Sequence, residues 1–163
     1  MDYDIQILLD PSCFNELIGA WPELDIEPLY GWHVTLSIFN SDNVPNVISV
    51  FENLCGQWQL LSLISPAILL FPHAICLAIT PVPELLTMHW QLETSLLAIE
   101  ADVDPNYLIS CWIPHVTLYR RSHTSKKEII DQLARPSHYQ LSVVGVQLIT
   151  VSENRIHRNF AIG

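Results

Sequence analysis

The sequence predicts an α+β fold of two lobes, and three observations carry that expectation. Short stretches alternate apolar and polar residues as strands do, while others repeat apolar residues at spacings of three and four as helices do. The order strand, helix, strand, helix, strands occurs once and then recurs in a looser form, with no linker between the halves. The tetrapeptide His-Val-Thr-Leu stands at 33–36 and again 82 positions later at 115–118, each time inside an apolar and aromatic run. Residues 1–163 are therefore expected to form one two-lobed domain, a size that allows one sizeable core.

Taken in order, Tyr3 to Leu9 alternates well enough for a strand. Asp10-Pro11-Ser12 reads as a helix start, with proline tolerated in the first turn, and the helix covers Ser12 to Ala20. An acidic loop from Glu23 to Glu27 leads to the first motif strand, Leu29 to Phe39. Asn40 to Asn43 supplies caps for a second helix, whose stripe is Val44, Val47, Ile48, Phe51, Leu54, Cys55 and Trp58. Strands follow at Gln59 to Ser65, Ala67 to Phe71 and Ala74 to Thr80, with a hairpin turn at Phe71-Pro72-His73. Pro81-Val82-Pro83 opens a third helix with Leu85, Met88, His89, Leu92, Leu96 and Ile99 on its apolar face.

Asp102 to Pro105 is expected to be a loop, and Ile113 to Arg121 the second motif strand. Ser125 and Glu128 match a capping box for a further helix. Two strands close the chain, Tyr139 to Val151 and Arg155 to Ile162, turning at Glu153-Asn154. In the first of them the apolar phase slips from Tyr139, Leu141, Val143 to Val144, Val146, Leu148, which places a bulge beside Gly145.

Composition narrows the function classes. Half the residues are apolar and 15% charged, as in an ordinary folded domain. Leu60 to Val82 is mostly apolar, but Pro66, Pro72 and Pro81 interrupt it, which suits strands and turns rather than a membrane span. Cys13, Cys55, Cys76 and Cys111 are scattered without metal-ligand spacing, each in an apolar neighbourhood, and read as buried free thiols. With no basic stretch ahead of an apolar one at the start, a cytoplasmic location is expected. Net charge is −10, unevenly spread: residues 1–119 hold fourteen acids and no Lys or Arg, and residues 120–163 hold all seven basic residues against three acids. So acidic a body disfavours long nucleic acid, whose binding depends on neutralising many phosphates. The basic group Arg120, Arg121, Lys126, Lys127 directly after the second motif could still hold one or two phosphates.

Each motif places His and Thr on one face of a strand and Val and Leu on the other. Two imidazole-plus-hydroxyl pairs on equivalent strands can serve one cleft. An imidazole, with a reference pKa of about 6.5, has both proton states accessible near neutrality, so one can act as base and the other as acid. Threonine hydroxyls can donate to the non-bridging oxygens of a phosphate. Packing alone also explains apolar strands, but two histidines at the middle of two such strands are an odd choice for packing.

This pattern resembles the 2H phosphoesterase superfamily and its two H-x-[T/S]-x motifs, here His33-Val34-Thr35-Leu36 and His115-Val116-Thr117-Leu118. The surroundings agree with the bacterial RNA 2′–5′ ligase and cyclic phosphodiesterase branch. There is a strand and helix before the first motif, a Phe-Pro corner at Phe71-Pro72, and a long helix before Pro114-His115. The resemblance implies two pseudo-symmetric lobes of antiparallel sheet flanked by helices, with both motifs in a central cleft. It implies a phosphodiesterase acting without a metal or other cofactor on 2′,3′-cyclic phosphate ends or small nucleotide phosphodiesters, and a monomer. His33, Thr35, His115 and Thr117 would be catalytic.

Strict alternation would put Tyr119 and Arg121 on the face of His115, whereas family members commonly carry arginine at the position of Arg120, so both arginines are candidates for phosphate. Trp32 and Tyr119, with Tyr30 and Trp112 nearby, are candidates to stack on a base. Two alternatives remain open: degradation of cyclic oligonucleotide signals, and a nucleotide-binding module without turnover.

Overall fold

Strand β1 (Asp2–Leu9) carries Tyr3, Ile5, Ile7 and Leu9 buried on one face, the alternation its sequence predicts. The computed structural model describes residues 2–20, 31–59, 61–72, 74–120, 138–153 and 155–161. The acidic loop, Tyr30, Arg121 and the helix expected from the capping box at Ser125 lie outside them. After β1 the Asp10 carboxylate accepts from the Ser12 amide and caps a 3₁₀ turn, Pro11–Phe14, which runs into α1 (Asn15–Ala20). The first motif opens β2 (His33–Asn40), and Asn43 caps α2 (Val44–Cys55) through the Asn46 amide.

Strands β3 (Ser62–Ser65), β4 (Ala67–Phe71) and β5 (Ala74–Ala78) follow, with Phe71 paired to Ala74 across the expected hairpin. Helix α3 (Pro83–Ala98) buries Leu85, Met88, His89, Leu92 and Leu96, the stripe its spacing predicts. The loop expected at Asp102 to Pro105 is more ordered than that. Asp102–Val103 form a two-residue strand, β6, on Asn40 and Phe39, and Asp104 caps a 3₁₀ turn, Pro105–Tyr107. Then come β7 (His115–Arg120), β8 (Tyr139–Thr150) and β9 (Arg155–Ala161).

Among the described residues all pairings are antiparallel, in the order β3-β8-β1-β2-β7-β5-β4, with β6 on β2 and β9 on β8. The bulge expected beside Gly145 is present: Leu8 pairs with Gly145 and Leu9 with Val143, so Val144 is the extra residue. The main core joins the apolar face of the sheet (Ile5, Val34, Leu36, Val116, Leu118) to Phe51 of α2 and to Leu85, Leu92 and Leu96 of α3. Each such side chain contributes about 1.5–3 kcal/mol by leaving water. The same burial anchors both motif strands from behind. Among the described residues no helix is long and apolar enough to cross a membrane.

Two further bulges bear on the site. Strand β1 pairs Ile5 with Ser37 but Gln6 with Thr35, so Leu36 is extra. Strand β5 pairs Ile75 with Tyr119 but Cys76 with Thr117, so Leu118 is extra. Each motif thus ends on a bulge at its leucine, and alternation does not run unbroken beyond it. The side chain of Tyr119 and all of Arg121, which strict alternation groups with His115, lie outside the described residues.

Candidate active site

Among the described residues the two halves of the sheet meet at one ladder pair, Val34 with Val116. Both valines are buried, while the His and Thr flanking each of them are half-buried. Antiparallel register about that pair sets His33 toward Thr117 and Thr35 toward His115. The two histidines then stand on a diagonal, a relationship that spans roughly 7–8 Å between backbones. The four motif residues that the sequence singled out are brought to one face at this joint.

Their side chains repeat the symmetry. His33 Nδ1 lies 2.8 Å from the Gly31 carbonyl oxygen, and His115 Nδ1 lies 2.8 Å from the Ile113 carbonyl oxygen. A carbonyl only accepts, so each Nδ1 carries the proton and donates it. In the neutral form each ring therefore holds its lone pair on Nε2. The carbonyl two residues upstream sets tautomer and ring orientation in both copies. Gly31 reaches this position with φ +77°, a conformation glycine adopts without cost.

The threonines have different neighbours. Cys76 Sγ is 3.8 Å from Thr117 Oγ1, a long thiol contact from the residue paired with Thr117 on β5. The corresponding position opposite Thr35 is Gln6, which accepts from Gln147 Nε2 and donates to Asp4 Oδ2, both at 2.6 Å. The Thr35 carbonyl accepts from Trp112 Nε1 at 3.0 Å, so the segment before the second motif braces the first.

Trp112 in turn stacks on His89 of α3, with centroids 4.0 Å apart and planes 14° from parallel. His89 is 1% exposed. Burial holds its pKa below the ordinary histidine value, a shift partly offset by the Glu93 carboxylate and by the Tyr107 and Leu36 carbonyls. Helical spacing puts His89 on the buried face of α3, but its partner 23 residues away is not readable from that spacing.

Beside His115 the surface opens into a pocket of about 290 Å³. Phe71 borders it with its ring centroid 5.1 Å from that of His115, and Tyr107, Trp112 and Ile113 form the rest of the apolar wall. Trp32 lies elsewhere. It is 5% exposed and stacked on Phe14 at 4.2 Å, with planes 10° apart. Phe14 takes the ring face expected for a base, so Trp32 is a core residue. Position 120 ends β7 opposite Ala74, but the side chains of Tyr119 and Arg120 lie outside what is described, as does all of Arg121. Among the described residues no three His, Cys, Asp or Glu side chains converge as a metal site requires.

No family model matches the sequence, and no curated protein matches it. Solved structures do match. TT0787 of Thermus thermophilus superposes with a TM-score of 0.71 over 99% of this chain and 98% of its own, at 14% identity. E. coli LigT complexed with 3′-AMP gives 0.67 over 98% and 97%, at 15% identity. The PDE domain of MHV ns2 gives 0.63 over 92% and 98%, at 12% identity. The chain has the 2H phosphoesterase fold. Identity this low carries the architecture and not the activity. In this instance of the 2H phosphoesterase fold, the Val34–Val116 pair is the joint between the lobes, and both His-Val-Thr-Leu motifs flank it.

Proposed function

We propose that this chain is a 2H phosphoesterase that hydrolyses 2′,3′-cyclic phosphate ends or small nucleotide phosphodiesters without a metal. The observation that carries the reading is the mirrored pair of imidazoles. Each is locked by a backbone carbonyl at Nδ1, and the two strands that bear them join at Val34–Val116.

In this reading one neutral imidazole takes a proton from water as the new O–P bond forms. The other, protonated, gives its proton to the departing ribose oxygen as the old P–O bond breaks. Opening a 2′,3′-cyclic ring to a 2′-phosphate puts the acid on the 3′-oxygen side. Thr35 and Thr117 hydroxyls donate to the non-bridging oxygens, where charge builds in the transition state. We assign the phosphate anchor to Arg120 over Arg121, because the bulge at Leu118 shifts the count of alternating positions by one. The acidic character of residues 1–119 favours a small substrate over a long chain. The neighbouring LigT structure with 3′-AMP supports a nucleotide of that size.

The test uses His33→Ala and His115→Ala, assayed on 2′,3′-cyclic nucleotides with EDTA present. Wild type should turn over undiminished by EDTA, and each variant should lose about 10²–10⁴ in kcat. Variants that keep the wild-type rate would sink the two-histidine mechanism, and a metal requirement would sink the rest.

A further inference from the structure

We propose that the pocket beside His115 is a nucleobase subsite that prefers a base with an exocyclic amino group. The inference rests on the phosphodiesterase reading for what is attached to that base. At about 290 Å³ the pocket sits at the small end of the range for ligand sites, roughly 300–1,000 Å³, enough for one nucleoside and too little for two. It adjoins one candidate proton-transfer group, His115. A substituent of a phosphate held at the motifs would therefore fall into it.

Its walls suit a flat ring. Phe71 stands at the open hairpin end of β4, and Trp112 is already stacked on one face by His89. A base lying against the remaining indole surface extends a stack that the fold has begun, without ordering a new side chain. The rim supplies direction. Asn106 Nδ2 donates to Asp104 Oδ1 at 3.0 Å, and the Asn106 backbone amide donates to the same oxygen at 2.9 Å. A carboxylate only accepts, so the amide orientation is fixed and its Oδ1 faces away from Asp104 as an acceptor. An acceptor at the rim favours the amino group of adenine over the corresponding carbonyl oxygen of uracil.

Against the expectation of a buried thiol, Cys111 lies in the turn before β7, lines the same pocket and is exposed, which gives a reporter that does not depend on turnover. Cys76 and Cys55 are buried, and burial, reinforced by Glu52, pushes the Cys55 thiol up to about 12. The rate of Cys111 alkylation by iodoacetamide is followed by peptide mapping, which separates it from half-buried Cys13. Saturating adenosine, which has a base and no phosphate, should slow that rate about tenfold or more. Glycerol 2-phosphate, which has a phosphate and no base, should change it less than about twofold. The half-protecting concentration of adenosine should rise about tenfold to a hundredfold in Phe71→Ala and about tenfold in Asn106→Ala, and uridine should protect less well than adenosine.

Equal alkylation with and without adenosine, or equal protection by glycerol 2-phosphate, overturns the subsite. Cleavage of cyclic nucleotides without protection removes the subsite and leaves the proposed function standing. Protection without cleavage does the reverse.

Discussion

Val34 and Val116 face each other across β2 and β7, and among the described residues theirs is the ladder pair that links the two lobes. Its position matters more than its strength. Each valine is the second residue of a His-Val-Thr-Leu motif, so the joint and the candidate site are the same place. A pair this central keeps the two imidazoles in register while the strands diverge on either side. The bulges at Leu36 and Leu118 each interrupt the pairing of a motif strand with its outer neighbour one residue beyond the threonine, and the ladder resumes at Ser37 and at Tyr119.

The Gly31 carbonyl orients His33 from a left-handed backbone conformation with nothing within 4 Å of where a Cβ would stand. Gly31→Ala should therefore cost about 1 kcal/mol from backbone conformation and little from crowding. If the backbone relaxes, the carbonyl moves and the imidazole loses its orientation. The expected result is a kcat drop of about tenfold to a hundredfold with only a small shift in the urea midpoint. A drop in activity no larger than the stability change would show that the carbonyl does not position His33.

Trp112 links the lobes through a side chain, since it precedes the second motif and donates to the Thr35 carbonyl of the first. Trp112→Phe keeps a ring to stack on His89 but removes the donor, leaving a carbonyl short of its partner. A loss of about 1–2 kcal/mol is expected by urea titration. The kcat should fall with it, because Thr35 belongs to the proposed oxyanion contacts. Unchanged stability would mean that the indole N–H bond is not formed in solution.

Much of this is legible from the sequence, for reasons that differ by element. The stripes of α2 and α3 repeat with helical spacing, so their buried faces can be read off. The bulge at Val144 is readable because the apolar phase of β8 slips within its own sequence. The bulges at Leu36 and Leu118 are not. Neither motif changes phase visibly, and an extra residue exists only relative to the strand opposite. Trp32 misleads because an aromatic beside a motif looks the same whether it stacks on a base or on Phe14, eighteen positions earlier. The carbonyls of Gly31 and Ile113 carry no side-chain signal at all, although a glycine at 31 hints at an unusual backbone. Strand β6 is too short to show a period.

Gly145 sits beside the bulge where β8 meets both β1 and β9. A Cβ placed there would come within 2.6 Å of the Phe160 carbonyl oxygen, a backbone atom of β9 that cannot swing aside. Gly145→Ala should cost about 1–3 kcal/mol, read as a lower urea midpoint, because the β8–β9 ladder must shift to make room. The bulged neighbour is the control. Val144 is 44% exposed, so Val144→Ala should stay within about 0.5 kcal/mol of wild type. Equal effects at the two positions would mean that the strands do not approach this closely.

His89 predicts how stability responds to acid. It is buried against Trp112, and burial lowers its pKa in the folded state, against partial opposition from Glu93 and the carbonyls of Tyr107 and Leu36. In the unfolded chain it titrates near the ordinary value of about 6.5. Above that value the ring is neutral in both states and contributes no pH dependence. Between about 6.5 and the lowered folded value the unfolded chain binds a proton that the folded chain refuses, so stability falls as pH falls. One such group limits the slope to about 1.4 kcal/mol per pH unit. Urea midpoints from pH 7.5 down to 5 for wild type and His89→Leu should diverge from about pH 6.5 downward, with wild type losing more. Parallel curves would show that His89 is as easily protonated in the folded protein as in the unfolded one, and would remove it as the acid-sensitive support beneath Trp112.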